Sequence, residues 1–206
     1  MISIFLKGGP MMWPLLLTSL VALTVVFERL IFLIRERLNR QPHMVEEIFA
    51  AVERGDLAAA GRRGLGSRDF VARTLTQALQ HRDVSYSNAL LAAANVELQR
   101  FNRGIAPLDT IVTLAPLEGL FGTVTGMIHA FGLLGATELG APAAITGGIA
   151  QALIATAFGL VIAMVALLPF NYLNARLEQA RLEIETASAQ LEMLLLRNEK
   201  KVESVP

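Results

Sequence analysis

The chain has 206 residues, a mean hydropathy of +0.50 and only 17% charged residues, which places it with membrane proteins rather than soluble domains. Its formal net charge is zero and no basic run carries interleaved aromatics, so nucleic acid is not an expected partner. With no cysteine it has no disulfide or thiol chemistry, and His43, His81 and His129 are too scattered to make a metal-ligand spacing. No cofactor, metal or catalytic residue is implied.

In chain order, residues 1–10 carry a single cation, Lys7, ahead of a first apolar stretch, Met11 to Ile34. That stretch exceeds the roughly 20 residues a helix needs to cross a bilayer. It is too long, and too poor in a basic leader, for a cleaved signal peptide. Glu28 and Arg29 near its end are expected to reach the interface by snorkelling. Residues 35–104 are polar and read as helix. Val45, Ile48, Phe49 and Val52 recur at helical spacing, as do Val71, Leu75 and Ala78, with the Gly and Ser of 61–67 as punctuation. Ser85 is placed to cap a helix running through Leu90, Leu91 and Val96.

A second span covers 105–134, interrupted by Asp109 and Glu118, and a third covers 142–173. The connection between them, 135–141, is short enough to make the two helices antiparallel neighbours. The tail, 174–206, repeats Leu177, Ile184 and Leu191 against Ala180, Ala187 and Leu194 in a heptad pattern, which predicts a continued helix beside a partner helix. Eleven Arg in the middle segment and five Lys or Arg in the tail put both in the cytoplasm, by the positive-inside rule. The N-terminus and the short loop then face the periplasm. The fold expected is an all-α integral membrane protein of three transmembrane helices with long helical cytoplasmic extensions.

Helices in lipid associate through small residues and hydrogen bonds. The second span carries Ala115, Gly119, Gly122, Gly126 and Ala130 on one face, and the third carries Ala152, Thr156, Gly159, Ala163 and Ala166. These are more small faces than one three-helix monomer needs, which suggests a homo-oligomer. At about 100° per residue, Glu118, Gly122, Thr125 and His129 fall in one stripe, with Thr123 about 140° from Glu118. An ionised residue at membrane depth costs at least ~2.5 kcal/mol, so Glu118 is expected to face a cavity, a partner or a proton path. Thr123, Thr125 and Thr156 have a plainer reading, in which each hydroxyl bonds back to its own helix. Gln151 has one too, as interhelical glue. Asp109, Glu28 and His129 read as interfacial.

Two motifs, "APLEGLFGTVTGMIHAF" from Ala115 and "GIAQALIATAFGLVIAM" from Gly148, resemble the paired signatures of the ExbB/TolQ/MotA proton-channel family. "GGPMMWPLLLTSLVALTVVFERL" at the N-terminus is similar to the first span of its ExbB-like branch. The resemblance implies a pentameric ring of three-span subunits in a bacterial inner membrane. Inside the ring would stand a dimer of an ExbD-like or TolR-like single-span partner, whose membrane Asp carries protons. The motion would be delivered to a TonB-like or TolA-like protein. Such a chain is not an enzyme, and the resemblance carries Thr123 and Thr156 over as the pore threonines. A MotA-type flagellar stator is disfavoured, since the chain shows neither a long cytoplasmic domain nor a fourth span. Where the family commonly reads "GIAEAL" or "GISEAL", this chain reads "GIAQAL", and Gln151 keeps the shape of Glu without an exchangeable proton. Either the partner's Asp makes the glutamate dispensable or the carboxylate has moved to Glu118, which stands where the usual family pattern, close to "APLLGLLGTV", has an apolar residue; relocation accounts for the loss and the gain together.

Overall fold

The computed structural model describes residue 5 and residues 7–132 and 141–203, of which 82–84, 141–145 and 199–203 are described by their backbone alone. The loop expected at 135–141 therefore lies, apart from Ala141, outside the described residues. All regular structure among the described residues is α-helical: α1 (Met12–Leu38), α2 (Pro42–Glu53), α3 (Leu57–Arg63), α4 (Phe70–Gln80), α5 (Arg82–Asn102), α6 (Ile105–Gly132) and α7 (Ala141–Glu203). Among the described residues, three helical stretches are long and apolar enough to cross a membrane, within Met12–Leu38, Ser85–Gly132 and Thr146–Asn198. The chain divides into two compact units, Met1–Arg29 with Gly104–Tyr172 and Leu30–Arg103 with Leu173–Pro206.

The first unit contains the apolar parts of α1, α6 and α7. Its outward side chains are large and apolar, among them Trp13, Leu17, Phe27, Ile128 and Leu168, a surface suited to lipid rather than water. Its inward residues are small where α6 meets α7, while Met12, Leu15, Leu108 and Ile111 are buried elsewhere in the unit. A helix must end before α6 begins, and Gly104 ends it with a φ of +81°, a left-handed conformation that disfavours a side chain. A Cβ there would lie 2.7 Å from Cδ of Arg29. Arg29 is accordingly buried, laid across Gly104 and bonded to Glu28 at 2.5 Å, with Glu28 exposed. The structure thus corrects the expectation that both would snorkel: the missing Cβ makes room for the arginine stem, and only Glu28 points outward.

The second unit is a helical bundle with its own core. Ile48, Val52, Phe70, Leu75 and Leu79 pack against Ala180, Ile184, Ala187 and Leu191 of α7. The heptad stripe therefore has its partner within the same chain, in α2, α4 and α5. Phe101 joins the layers, its ring edge-on to Phe32 at 5.4 Å and to Phe70 at 5.1 Å. Fully burying such a ring stabilises by about 1.5–3 kcal/mol.

Caps delimit the short helices. Asp56 accepts from the Ala59 amide at 2.8 Å and starts α3, which runs through Gly61 to Arg63, so the stretch expected as punctuation from 61 begins as helix. Asp69 starts α4 by accepting from the Val71 and Ala72 amides, and it is fully buried. Ser85 has extended backbone angles within α5 and its Oγ accepts from the Asn88 amide at 3.4 Å, as a cap would.

Candidate functional site

The polar residues of the first unit are positioned by the seam between α6 and α7. Ala115, Gly119, Gly122, Gly126 and Ala130 are all buried, as are Ala152, Gly159, Ala163 and Ala166 opposite. The approach is backbone to backbone. A Cβ on Gly119 would stand 2.9 Å from Cα of Thr156, and one on Gly126 would stand 2.9 Å from Cβ of Ala152. One on Gly159 would run into the carbonyl oxygen of Ala115. Such proximity lets side chains on one helix reach carbonyls on the other.

Thr156 does so, donating to the Gly119 carbonyl at 2.8 Å. Thr123 and Thr125 instead bond back to α6, Thr123 to Leu120 O at 2.6 Å and Thr125 to Phe121 O at 3.0 Å. Of the three threonines, only Thr156 crosses between helices. Each hydroxyl has one proton, and in all three it is given to a backbone carbonyl, which leaves the oxygen as an acceptor.

Glu118 is half-buried and its two carboxylate oxygens lie 2.9 and 3.0 Å from the Thr18 hydroxyl of α1. Thr18 is 8% exposed, so the pair sits where α1 meets α6. The single hydroxyl proton is shared between the two oxygens. Sequence reasoning missed Thr18, because it stands in a run with Ser19 and Thr24, and nothing in spacing separates the three. Ser19 and Thr24 bond to their own helix, at Leu16 O and Leu20 O, and Thr18 alone of them reaches α6.

The stripe expected along Glu118, Gly122, Thr125 and His129 is not continuous. Its start is absorbed in helix contacts, since Gly122 faces Ala155 and Met11, while His129 at its far end is exposed. Gln151 is half-buried on α7, five residues before Thr156, and its amide lies against Gly9. Gly9 has a φ of +76°, and a Cβ there would overlap the amide nitrogen of Gln151. Glycine is thus required there twice over, for its backbone and for its bareness. The structure brings Glu118 to Thr18, and Thr156 to Gly119 next to it, but sets Thr123 elsewhere. Thr123 lies half-buried in a shallow groove of about 580 Å³ with Val124, Met127, Ile128 and Phe131, on an otherwise apolar face of α6.

Among the described residues no group of three or more His, Cys, Asp or Glu could hold a metal ion. The arrangement offers hydroxyl acceptors and one carboxylate inside an apolar helical unit, chemistry suited to holding and passing a proton.

Residues 65–186 match the family model described as MotA/TolQ/ExbB proton channel family. A protein of Synechocystis sp. designated biopolymer transport protein ExbB-like 1 is 39% identical over 197 residues, covering 92% of this chain and 77% of that one. Biopolymer transport protein ExbB of Neisseria gonorrhoeae is 37% identical over 99 residues, covering 48% of this chain and 45% of its own. The Tol-Pal system protein TolQ of Haemophilus influenzae is 39% identical over 88 residues, covering 43% of this chain and 39% of that protein.

Proposed function

The chain belongs to the MotA/TolQ/ExbB proton channel family, and from that premise we infer that it is the motor subunit of an ExbB–ExbD-like complex driven by the proton-motive force. In this reading it stands in a bacterial inner membrane with its N-terminus periplasmic and its C-terminus cytoplasmic. Five copies form a ring around a dimer of a single-span, ExbD-like partner, and the ring energises a TonB-type transport process. A TolQ-like role with a TolR-like partner and a TolA-like client is the second reading, favoured by the 39% identity with TolQ over 88 residues.

One observation carries the mechanism. The hydroxyl protons of Thr123 and Thr156 are both committed to backbone carbonyls. Their oxygens can accept from a protonated carboxyl but, so arranged, have no proton to offer an ionised one. A partner's membrane Asp would be held when protonated and released when it ionises, and this difference is what a proton-driven cycle needs. The shallow apolar groove around Thr123 suits the side of a partner's transmembrane helix. Thr125, whose hydroxyl proton is likewise given to a carbonyl, is a further acceptor in this reading, on the Glu118 face of α6 rather than that of Thr123. Glu118 is the protonatable group this chain supplies, in the role of the carboxylate absent at Gln151, with Thr18 holding it at the α1–α6 junction.

Native mass spectrometry of the chain, purified alone and with single-span candidates from its genomic neighbourhood, tests the assembly: five copies gaining two of one partner support it, and a monomer that recruits none overturns it. Proton flux into vesicles carrying the complex tests the site. Thr123→Val and Thr156→Val each lower flux at least tenfold, Glu118→Gln lowers it strongly and Gln151→Ala less, about a tenfold loss being 1.4 kcal/mol of barrier. Equal, mild effects of Glu118→Gln and Gln151→Ala would remove Glu118 from the path.

A further inference from the structure

Glu36 lies two residues past the apolar stretch that ends at Ile34, in the second unit, and the proposed mechanism makes no use of it. It is 6% exposed, and its Oε1 is buried without a hydrogen-bond partner. It borders a cavity of about 210 Å³, together with Arg37, Arg40, Arg176, Gln179 and Glu183. That is room for several waters, each taking up roughly 30 Å³ in the liquid.

The neighbouring carboxylates are all bonded. Asp69 accepts from Arg40 at 2.7 and 2.8 Å and from the amides of Gln41, Val71 and Ala72. Glu97 takes two donors of Arg73, at 2.9 and 2.6 Å, and one of Arg100 at 2.9 Å. Glu183 accepts from the second nitrogen of Arg40 at 2.6 Å. Arg176 donates to Gln179 at 2.6 Å, and Arg37 is exposed on α1 itself. Arg40, Arg73 and Arg100 thus already serve three other carboxylates, and Glu36 is the additional one. Burying a fourth negative charge without its own donor is costly, whereas a neutral carboxyl can donate to cavity water.

We propose that Glu36 is a proton-binding site of the helical unit, protonated when the last turn of α1 is seated and losing its proton to the adjoining cavity as pH rises, which loosens that turn. Burial, the largest influence, raises the pKa of Glu36 above the ordinary carboxyl range, Arg73 and Arg100 oppose it, and Glu97 and Asp69 add to it. The sign follows from linkage. The native state holds the proton more tightly than the unfolded chain, so this contribution is complete at low pH, shrinks as pH rises past the ordinary carboxyl value, and is gone once the native carboxyl has ionised. The proposal needs neither a partner nor an ion gradient, so it stands or falls apart from the motor reading.

The test is denaturant unfolding of the full chain in detergent, from about pH 5 to about pH 8, for the wild type and Glu36→Gln. Gln keeps the shape and hydrogen bonding but cannot ionise. The ratio of the wild-type unfolding constant to that of the variant should climb as pH rises, and a ratio that is constant with pH would overturn the proposal. Should Glu36→Gln not fold, amide hydrogen exchange over 30–38 in the wild type, corrected for the intrinsic pH dependence of exchange, decides the matter. Protection that falls with rising pH supports the switch, and protection independent of pH refutes it.

Discussion

Replacing Gly159 by Ala inserts one methyl group at the tightest point of the α6–α7 seam. Its Cβ would meet the carbonyl oxygen of Ala115 and come within 3.1 Å of Cα and 3.2 Å of N of Gly119. All three obstacles are backbone, so no side chain can turn aside and the helices must part. Overpacking of this kind costs about 1–3 kcal/mol, and parting also stretches the bond from Thr156 to Gly119 O, a contact type that contributes on average about 0.6 kcal/mol in membranes. Against this, Ala is a better helix residue than Gly by about 0.5–1 kcal/mol. The expected net loss is about 1–2 kcal/mol. Gly147→Ala is the matched control, because a Cβ there meets nothing within 4 Å, and it should gain the propensity term of about 0.5–1 kcal/mol alone. The same chemical change at two sites of one helix should therefore shift stability in opposite directions. Unfolding of the purified chain in detergent measures both, and a Gly159→Ala protein as stable as Gly147→Ala would refute the seam.

Thr156→Val should lose about 0.6 kcal/mol in the same assay while Thr156→Ser retains it, and Thr125→Val, whose hydroxyl bonds only its own helix, should be close to neutral. Asp69→Asn removes the charge that caps α4 and pairs with Arg40; with Asp69 fully buried and Arg40 partly exposed, the loss should be about 2–3 kcal/mol by chemical denaturation.

Much of this protein was legible from periodicity and composition. Apolar runs long enough to cross a bilayer, with few charged residues in them, mark the three helices able to cross a membrane among the described residues, because in lipid every backbone group must bond within its own helix. Small residues at helical spacing marked both faces of the α6–α7 seam, since the spacing alone decides which residues share a face. The heptad stripe of α7 was equally plain as a pattern.

What covers that stripe was not. Periodicity says that a face must be buried and is silent on the partner, and only folding showed α2, α4 and α5 against it. Hydroxyl direction was likewise a tertiary matter. Thr18, Ser19 and Thr24 are alike in sequence, and the position of α6 decides that Thr18 alone meets Glu118. Arg29 looked interfacial until the bare backbone of Gly104 gave its stem a place to lie. The solitary state of Glu36 also follows from folding, because it depends on which carboxylates have already taken Arg40, Arg73 and Arg100. Local pattern determines helix and face through geometry of a few residues' range. The pairing of a polar group depends on residues that approach from elsewhere in the chain, and that is settled only when the helices have packed.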